Sequence, residues 1–165
     1  MTDQGQAGIA QPDDDQDRIR SLWIPLREIN LLLPNLAVAE IGSYRVPEAR
    51  SGMPDWLLGM VKWRQQPIPV ISLETLCGLD TVSNPVFSRL MVVNSVRPAS
   101  PVQHYAIVTA GLPGLIQFDA GMVDDIEACT EDGLHCVLRI GNEYAFIPDL
   151  DQVQERLEQQ LARAA

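Results

Sequence analysis

Aromatic residues are scarce in this 165-residue chain, basic residues are outnumbered, and histidine occurs only twice. Each scarcity closes a route. Aromatics at 5% leave aliphatic side chains to fill any core. With 12 Lys and Arg against 22 Asp and Glu, a formal charge of -10 and a pI near 4.5, the chain lacks the basic stripe that neutralises phosphates. We therefore expect no nucleic-acid partner. Three cysteines, Cys77, Cys129 and Cys136, form an odd set with no CxxC pair and no zinc-finger spacing. A reduced, cytoplasmic protein is the simplest reading. No apolar run approaches ~18 residues, and the N-terminus has neither a basic n-region nor an apolar h-region. Export and membrane insertion are not expected.

Catalytic groupings are missing too. A transfer or hydrolytic enzyme needs a nucleophile, a base and an orienting group, and the two histidines are His104 and His135. His135 and Cys136 are adjacent, so on a strand they face opposite ways, and Cys136 reads as a small buried hydrophobe. His104 beside Tyr105 reads as the start of an edge strand. Asp124-Asp125 and Glu131-Asp132 lack the DxDxDG frame of a calcium loop and read as solvated turns. The glycines at 111, 114, 121 and 133 fit neither GxGxxG nor a P-loop. No cofactor, metal or enzymatic activity is expected.

What is present suits one folded domain. At this length ~70% of the unfolded surface can be buried, and 46% hydrophobic with 21% charged residues is ordinary for a globular chain. Up to residue 17 the sequence is rich in Gln, Asp and Gly, so we expect a disordered arm over residues 1–20 and a folded unit over 21–165. SLWIPLR and NLLLP read as a hairpin around Glu28-Ile29-Asn30. Leu36, Val38 and Ile41 fit a helical turn or a strand, and Asp55 to Leu58 reads as one helical turn. After a DTVSNP linker, FSRLMVVNSV is apolar at its centre like a strand buried on both faces, and HYAIVTA follows as its partner, with GLPGLIQF continuing it after a bend. His135–Ile140 and Tyr144–Ile147 flank the turn Gly141-Asn142-Glu143. Leu150, Val153, Leu157 and Leu161 keep helical spacing behind Asp149, a candidate N-cap. Many short strands separated by turns point to barrels or sandwiches, with hairpin patterns before and after residue 85 suggesting two packed halves.

The most informative stretch is PDWLLGMVKWRQQPIPVISLETLCGL, residues 54–79. Met60–Trp63 and Ile68–Ser72 read as strands around the polar triplet Arg64-Gln65-Gln66, and Leu73–Cys77 as a short helix stopped by Gly78. This string resembles the CheW family of chemotaxis coupling proteins, with its Pro-x-Trp lead, arginine turn, Pro-Val-Ile-x-Leu strand and Gly-Leu ending. LLLPNLAVAEI is similar to the family's Leu-Pro-x-x-x-Val-x-Glu-Ile segment, and NEYAFIPDLDQV to its last strand and helix entry. The resemblance covers most of residues 22–157. The chain also resembles the short, acidic ChpC-like adaptors of the pilus-type chemosensory system that governs twitching motility.

The resemblance implies a mostly β fold: two packed, intertwined, five-stranded SH3-like β-barrels, approximately residues 21–85 and 86–148, with short helices and a C-terminal helix. It implies a non-catalytic adaptor whose partners are the tip of a methyl-accepting chemoreceptor and the regulatory domain of a CheA-type histidine kinase. Arg64 falls on the family's turn arginine and Glu40 on its Val-x-Glu-Ile glutamate, positions of partner contact that are expected to pair with each other. Val38, Leu57, Leu58, Val61 and Trp63 surround them. An exposed Trp63 would make a strong interface anchor. Gln65 stands where the family carries glycine, so the turn either avoids a positive φ or strains Gln65. A second reading from another class is a small-molecule sensor with a pocket between the barrels.

Overall fold

The computed structural model describes residues 18–79 and 87–165. The arm up to residue 17 and the DTVSNP linker lie outside those residues. The apolar run SLWIP forms β1 (Ile19–Pro25), and NLLLP forms β2 (Asn30–Pro34), paired antiparallel from Ser21↔Pro34 to Pro25↔Asn30. Because the strand repeat is two, Leu22, Ile24, Leu31 and Leu33 share one face, while Trp23 and Leu32 take the other. Both faces are apolar, so both are covered.

A 3₁₀ turn over Asn35–Ala37 then leads into β3 (Val38–Ser43), which resolves the helix-or-strand ambiguity there. The next strands are β4 (Leu57–Trp63), β5 (Gln66–Ile71), β6 (Arg89–Asn94) and β7 (His104–Thr109). They are followed by β8 (Gly114–Phe118), β9 (Asp125–Ala128), β10 (Leu134–Ile140) and β11 (Glu143–Pro148). Helix α1 (Leu73–Leu76) opens on Ser72, whose hydroxyl accepts from the Thr75 N–H, and Gly78 at φ +81 ends its turn. Helix α2 (Leu150–Ala164) opens on Asp149, whose carboxylate accepts from the Gln152 N–H at 3.0 Å, as its sequence anticipates.

The strands form two mixed sheets. One runs β8-β1-β2-β11-β10-β9 and the other β3-β6-β7-β5-β4, each with a single parallel pairing, β2 with β11 and β5 with β7. The first sheet draws strands from early and late in the chain, the second from the stretch between them. One face of each sheet turns toward the shared core, where Ile24, Leu31, Ile71, Met91, Tyr105 and Ile107 are fully buried. The opposite face of each sheet curls on its own apolar cluster. Leu32, Phe118, Leu138 and Ala145 fill the first, and Val61, Trp63, Ile68, Val70, Leu90, Val92 and Ala106 the second.

Two closed five-stranded SH3-like barrels, as the resemblance implies, are not what forms. The sheets have six and five strands, and neither joins its outer strands to each other: β8 does not pair with β9, nor β3 with β4. Closure needs ladder hydrogen bonds along that seam. In the second sheet the outer edge of β4 is taken instead by Glu48, which exchanges backbone hydrogen bonds with Met60 at 2.8 and 3.1 Å. Gly59 permits this approach, since a Cβ there would lie 2.3 Å from the Glu48 carbonyl oxygen.

Three local expectations change as well. Asp55–Leu58 is not a helical turn, because Leu57 pairs with Ile71 and the Trp56 carbonyl accepts from the Ser72 N–H. Strand pairing outweighs a single marginal turn of helix. GLPGLIQF does not extend β7 but crosses to pair with β1. His104 opens β7, which lies in the middle of its sheet and not at an edge.

The two helices strap the sheets together reciprocally. α1 follows β5 of the second sheet, yet its buried Glu74 accepts the Arg27 and Glu28 N–H groups in the β1–β2 turn, both at 2.8 Å. α2 follows β11 of the first sheet, yet its fully buried Gln154 grips the β6–β7 connection of the second. Its amide nitrogen donates to Ser95 Oγ at 2.6 Å and to the Val102 carbonyl at 3.1 Å, and its oxygen accepts from the Val96 N–H at 3.0 Å.

Candidate functional site

The β4–β5 hairpin closes through two residues, Arg64 and Gln65, between the paired Trp63 and Gln66. Both central residues have positive φ, +44° and +69°, the pattern of the primed turns whose twist matches that of antiparallel strands. Gln65 thus takes the left-handed conformation that glycine adopts more cheaply. Short hairpin geometry wins over the residue's own preference, and Arg64 is carried to the tip.

Across the seam, β3 has a register irregularity between Val38 and Glu40. The Glu40 carboxylate oxygen Oε2 accepts from Trp63 Nε1 at 3.0 Å and from Arg64 Nη2 at 3.2 Å. The Arg64 guanidinium lies 4.5 Å from the centre of the Trp63 ring. His104 reaches the same indole, with ring centres 4.7 Å apart and planes tilted by 52°. A side-chain clasp therefore spans β3 and β4 where the sheet leaves the seam unpaired.

Glu40, Trp63 and Arg64 are brought together, while Val38 packs against the shared core. Trp63 is not an exposed anchor. It is only 7% accessible and forms the floor on which Arg64 rests, whereas the Arg64 and Glu40 side chains are 67% and 45% accessible. An exposed ion pair contributes ~0.2–1 kcal/mol and an exposed cation–π contact ~0.5–1 kcal/mol. Those magnitudes make the clasp a device for holding Arg64 in one orientation more than for stability. Leu57 and Leu58 divide between the shared core and the second cluster, as neighbours on a strand must. His104 was not legible as part of this group, because only the central position of β7 brings it under the turn.

The other candidates behave as structural residues. Asp124 pairs with Arg139 at 3.4 Å and accepts from the Gly141 N–H at 2.8 Å. The three cysteines are free thiols. Burial, with help from Glu131 and Asp132, pushes the Cys77 thiol up to about 12, and burial also raises Cys129 and Cys136. Such thiols stay protonated and unreactive near neutral pH. Cys136 is half-buried, against the first sheet's interior. Among the described residues no group of three or more His, Cys, Asp or Glu could hold a metal ion, and no helix is long and apolar enough to cross a membrane. Two cavities open at the seams. A groove of about 1170 Å³ lies between the start of β1 and β9–β10, and a smaller cavity lies behind the Glu40 clasp.

Comparison with solved structures gives the scaffolding protein TtCheW from Thermoanaerobacter tengcongensis, at a TM-score of 0.67 and 17% identity, covering 80% of this chain and 89% of that one. At that identity the likeness establishes a shared fold. No curated protein matches the sequence. The family described as the CheW-like domain matches residues 20–158, a span that includes both sheets, the clasp and most of α2. The chain belongs to the CheW-like domain family.

Proposed function

We propose that the chain couples the tip of a methyl-accepting chemoreceptor to the regulatory domain of a CheA-type histidine kinase in the cytoplasm, through protein contacts alone. Proteins of this family are non-catalytic scaffolds of chemotaxis signalling and generally couple receptors to CheA kinases. The observation that carries the reading for this chain is the clasp. An exposed Arg64 is held by a buried Trp63 and a half-exposed Glu40 on the rim of an open sheet seam, a rigid charged feature that a partner can read. Glu40 and Arg64 are the contact residues in this proposal, with Trp63 positioning Arg64 from beneath. Val38 acts from the core side by supporting β3. By the resemblance of its acidic sequence to ChpC-like adaptors, the system in this proposal is the pilus-type one, with twitching motility as its output.

The test is co-sedimentation of the purified chain with receptor–kinase assemblies. Arg64→Glu should remove the chain from the pellet while its circular-dichroism melt stays unchanged. The double exchange Glu40→Arg with Arg64→Glu restores an internal pair but presents the wrong charge to a partner, so it should melt normally and still fail to pellet. Full coupling by either variant would refute Arg64 as the contact.

A further inference from the structure

The seam of the second sheet contains a cavity of 180 Å³ that the clasp does not fill. Val61, Ile68, Leu90 and Val92 give it apolar walls, and Glu40 and Arg45 stand on its lining with opposite charges. Both contacts of Glu40 use Oε2, so Oε1 has no partner among the described residues. Arg45 likewise has no ion pair among them. Gly42 belongs to the same lining, and a Cβ built there would meet nothing within 4 Å. The lining at Gly42 is therefore open space and not a packed wall.

Size and chemistry restrict the occupant. The volume corresponds to about six waters at ~30 Å³ each, and it is below the ~300 Å³ at which drug-sized pockets begin. An ion would use one of the two charges and waste the apolar walls. A hydrocarbon would use the walls and leave Arg45 and the second oxygen of Glu40 without a ligand contact. A short zwitterion with a branched aliphatic chain uses all three.

We propose that this cavity binds a small aliphatic α-amino acid, its ammonium on Glu40, its carboxylate on Arg45 and its side chain among Val61, Ile68, Leu90 and Val92. The site shares Glu40 with the proposed partner surface but does not depend on it, and its occupancy loads the carboxylate that holds Trp63 and Arg64. Small-molecule binding is thereby located inside one curled sheet, at its seam.

The experiment is isothermal titration calorimetry of the full chain, without receptor or kinase, against L-valine and L-leucine. Isobutylamine and isovalerate, each keeping one charged head, serve as comparisons. One-site saturable binding of an amino acid is expected, with both single-headed compounds at least about tenfold weaker, a difference of ~1.4 kcal/mol. Arg45→Gln, at an exposed side chain, should melt normally and lose at least tenfold in affinity. Gly42→Leu should fill the cavity and abolish binding. Absence of binding at millimolar amino acid would overturn the proposal, as would binding unchanged in both variants. Failure of the receptor–kinase assay would leave this result untouched, so the two readings fail separately.

Discussion

Replacing Gln65 by glycine should stabilise the protein, although it removes a side chain. Gln65 sits at φ +69°, where an L-residue pays ~1–2 kcal/mol for the approach of its Cβ to the following carbonyl. Glycine removes that penalty but brings ~0.5–1 kcal/mol of extra backbone entropy in the unfolded chain. The Gln65 side chain is exposed and makes no hydrogen bond that would be lost. The difference leaves a gain of about 0.5–1 kcal/mol. For a chain of this size that is a rise in melting temperature of about 1–4 °C. Urea unfolding followed by circular dichroism should show a higher midpoint with an unchanged slope, since the surface exposed on unfolding is the same. Gln65→Ala is the control, because it keeps the Cβ and should be near neutral. Arg64→Gly should gain less, for it relieves φ +44° but loses the Glu40 bond and the Trp63 stack. If glycine at 65 failed to stabilise, or alanine stabilised as much, the idea of a strained turn would be wrong.

Glu74→Ala should cost about 2–3 kcal/mol by orphaning the Arg27 and Glu28 N–H groups, with faster hydrogen exchange at those two amides as the local readout. Tyr105→Phe should raise stability by ~1 kcal/mol in a calorimetric scan, since the buried Tyr105 hydroxyl has no hydrogen-bond partner among the described residues; a loss would contradict this account. Stability should also fall at high pH. Between pH 9 and about 12 the unfolded chain gives up the Cys77 proton while the folded chain keeps it, so the contribution is complete below that window and gone above it. Burial of Tyr105 acts in the same direction above ~10. Urea midpoints measured from pH 8 to 10.5 should therefore decline, and less steeply in Cys77→Ala.

Local pairing was readable in the sequence wherever one segment's pattern decided it. SLWIPLR and NLLLP carried their hairpin, Gly78 marked the end of the α1 turn, and Asp149 capped α2. Long-range partners were not readable, because a strand's apolar alternation states which faces are buried and not against what. GLPGLIQF could extend β7 or pair with β1, and nothing within it distinguishes the two. Closure was misjudged for a similar reason: whether outer strands meet is a long-range pairing that no residue pattern announces, and in the second sheet Glu48 takes the edge of β4 at Met60 instead. In the site, Glu40 and Arg64 came from the motif, and their pairing follows once β3 and β4 flank one seam. The Trp63 position was legible but its exposure was not, since burial depends on β3 and β7 folding over it.

The two ends of the chain make one sheet and its middle makes the other, which sets an order of events during synthesis. All strands of the second sheet have left the ribosome once Thr109 emerges, so that sheet can assemble on the growing chain. The β1–β2 hairpin is made first but must wait, because Leu31 pairs with Phe146 and Leu22 with Leu115. Through that interval an apolar hairpin is a nascent, half-satisfied element, and the Glu74 strap from α1 is available to hold its turn before its own sheet exists. A chain stalled only after Thr109 has cleared the exit tunnel, but before β11 has emerged, should already protect the second sheet from proteolysis while leaving the hairpin's strands open to cleavage.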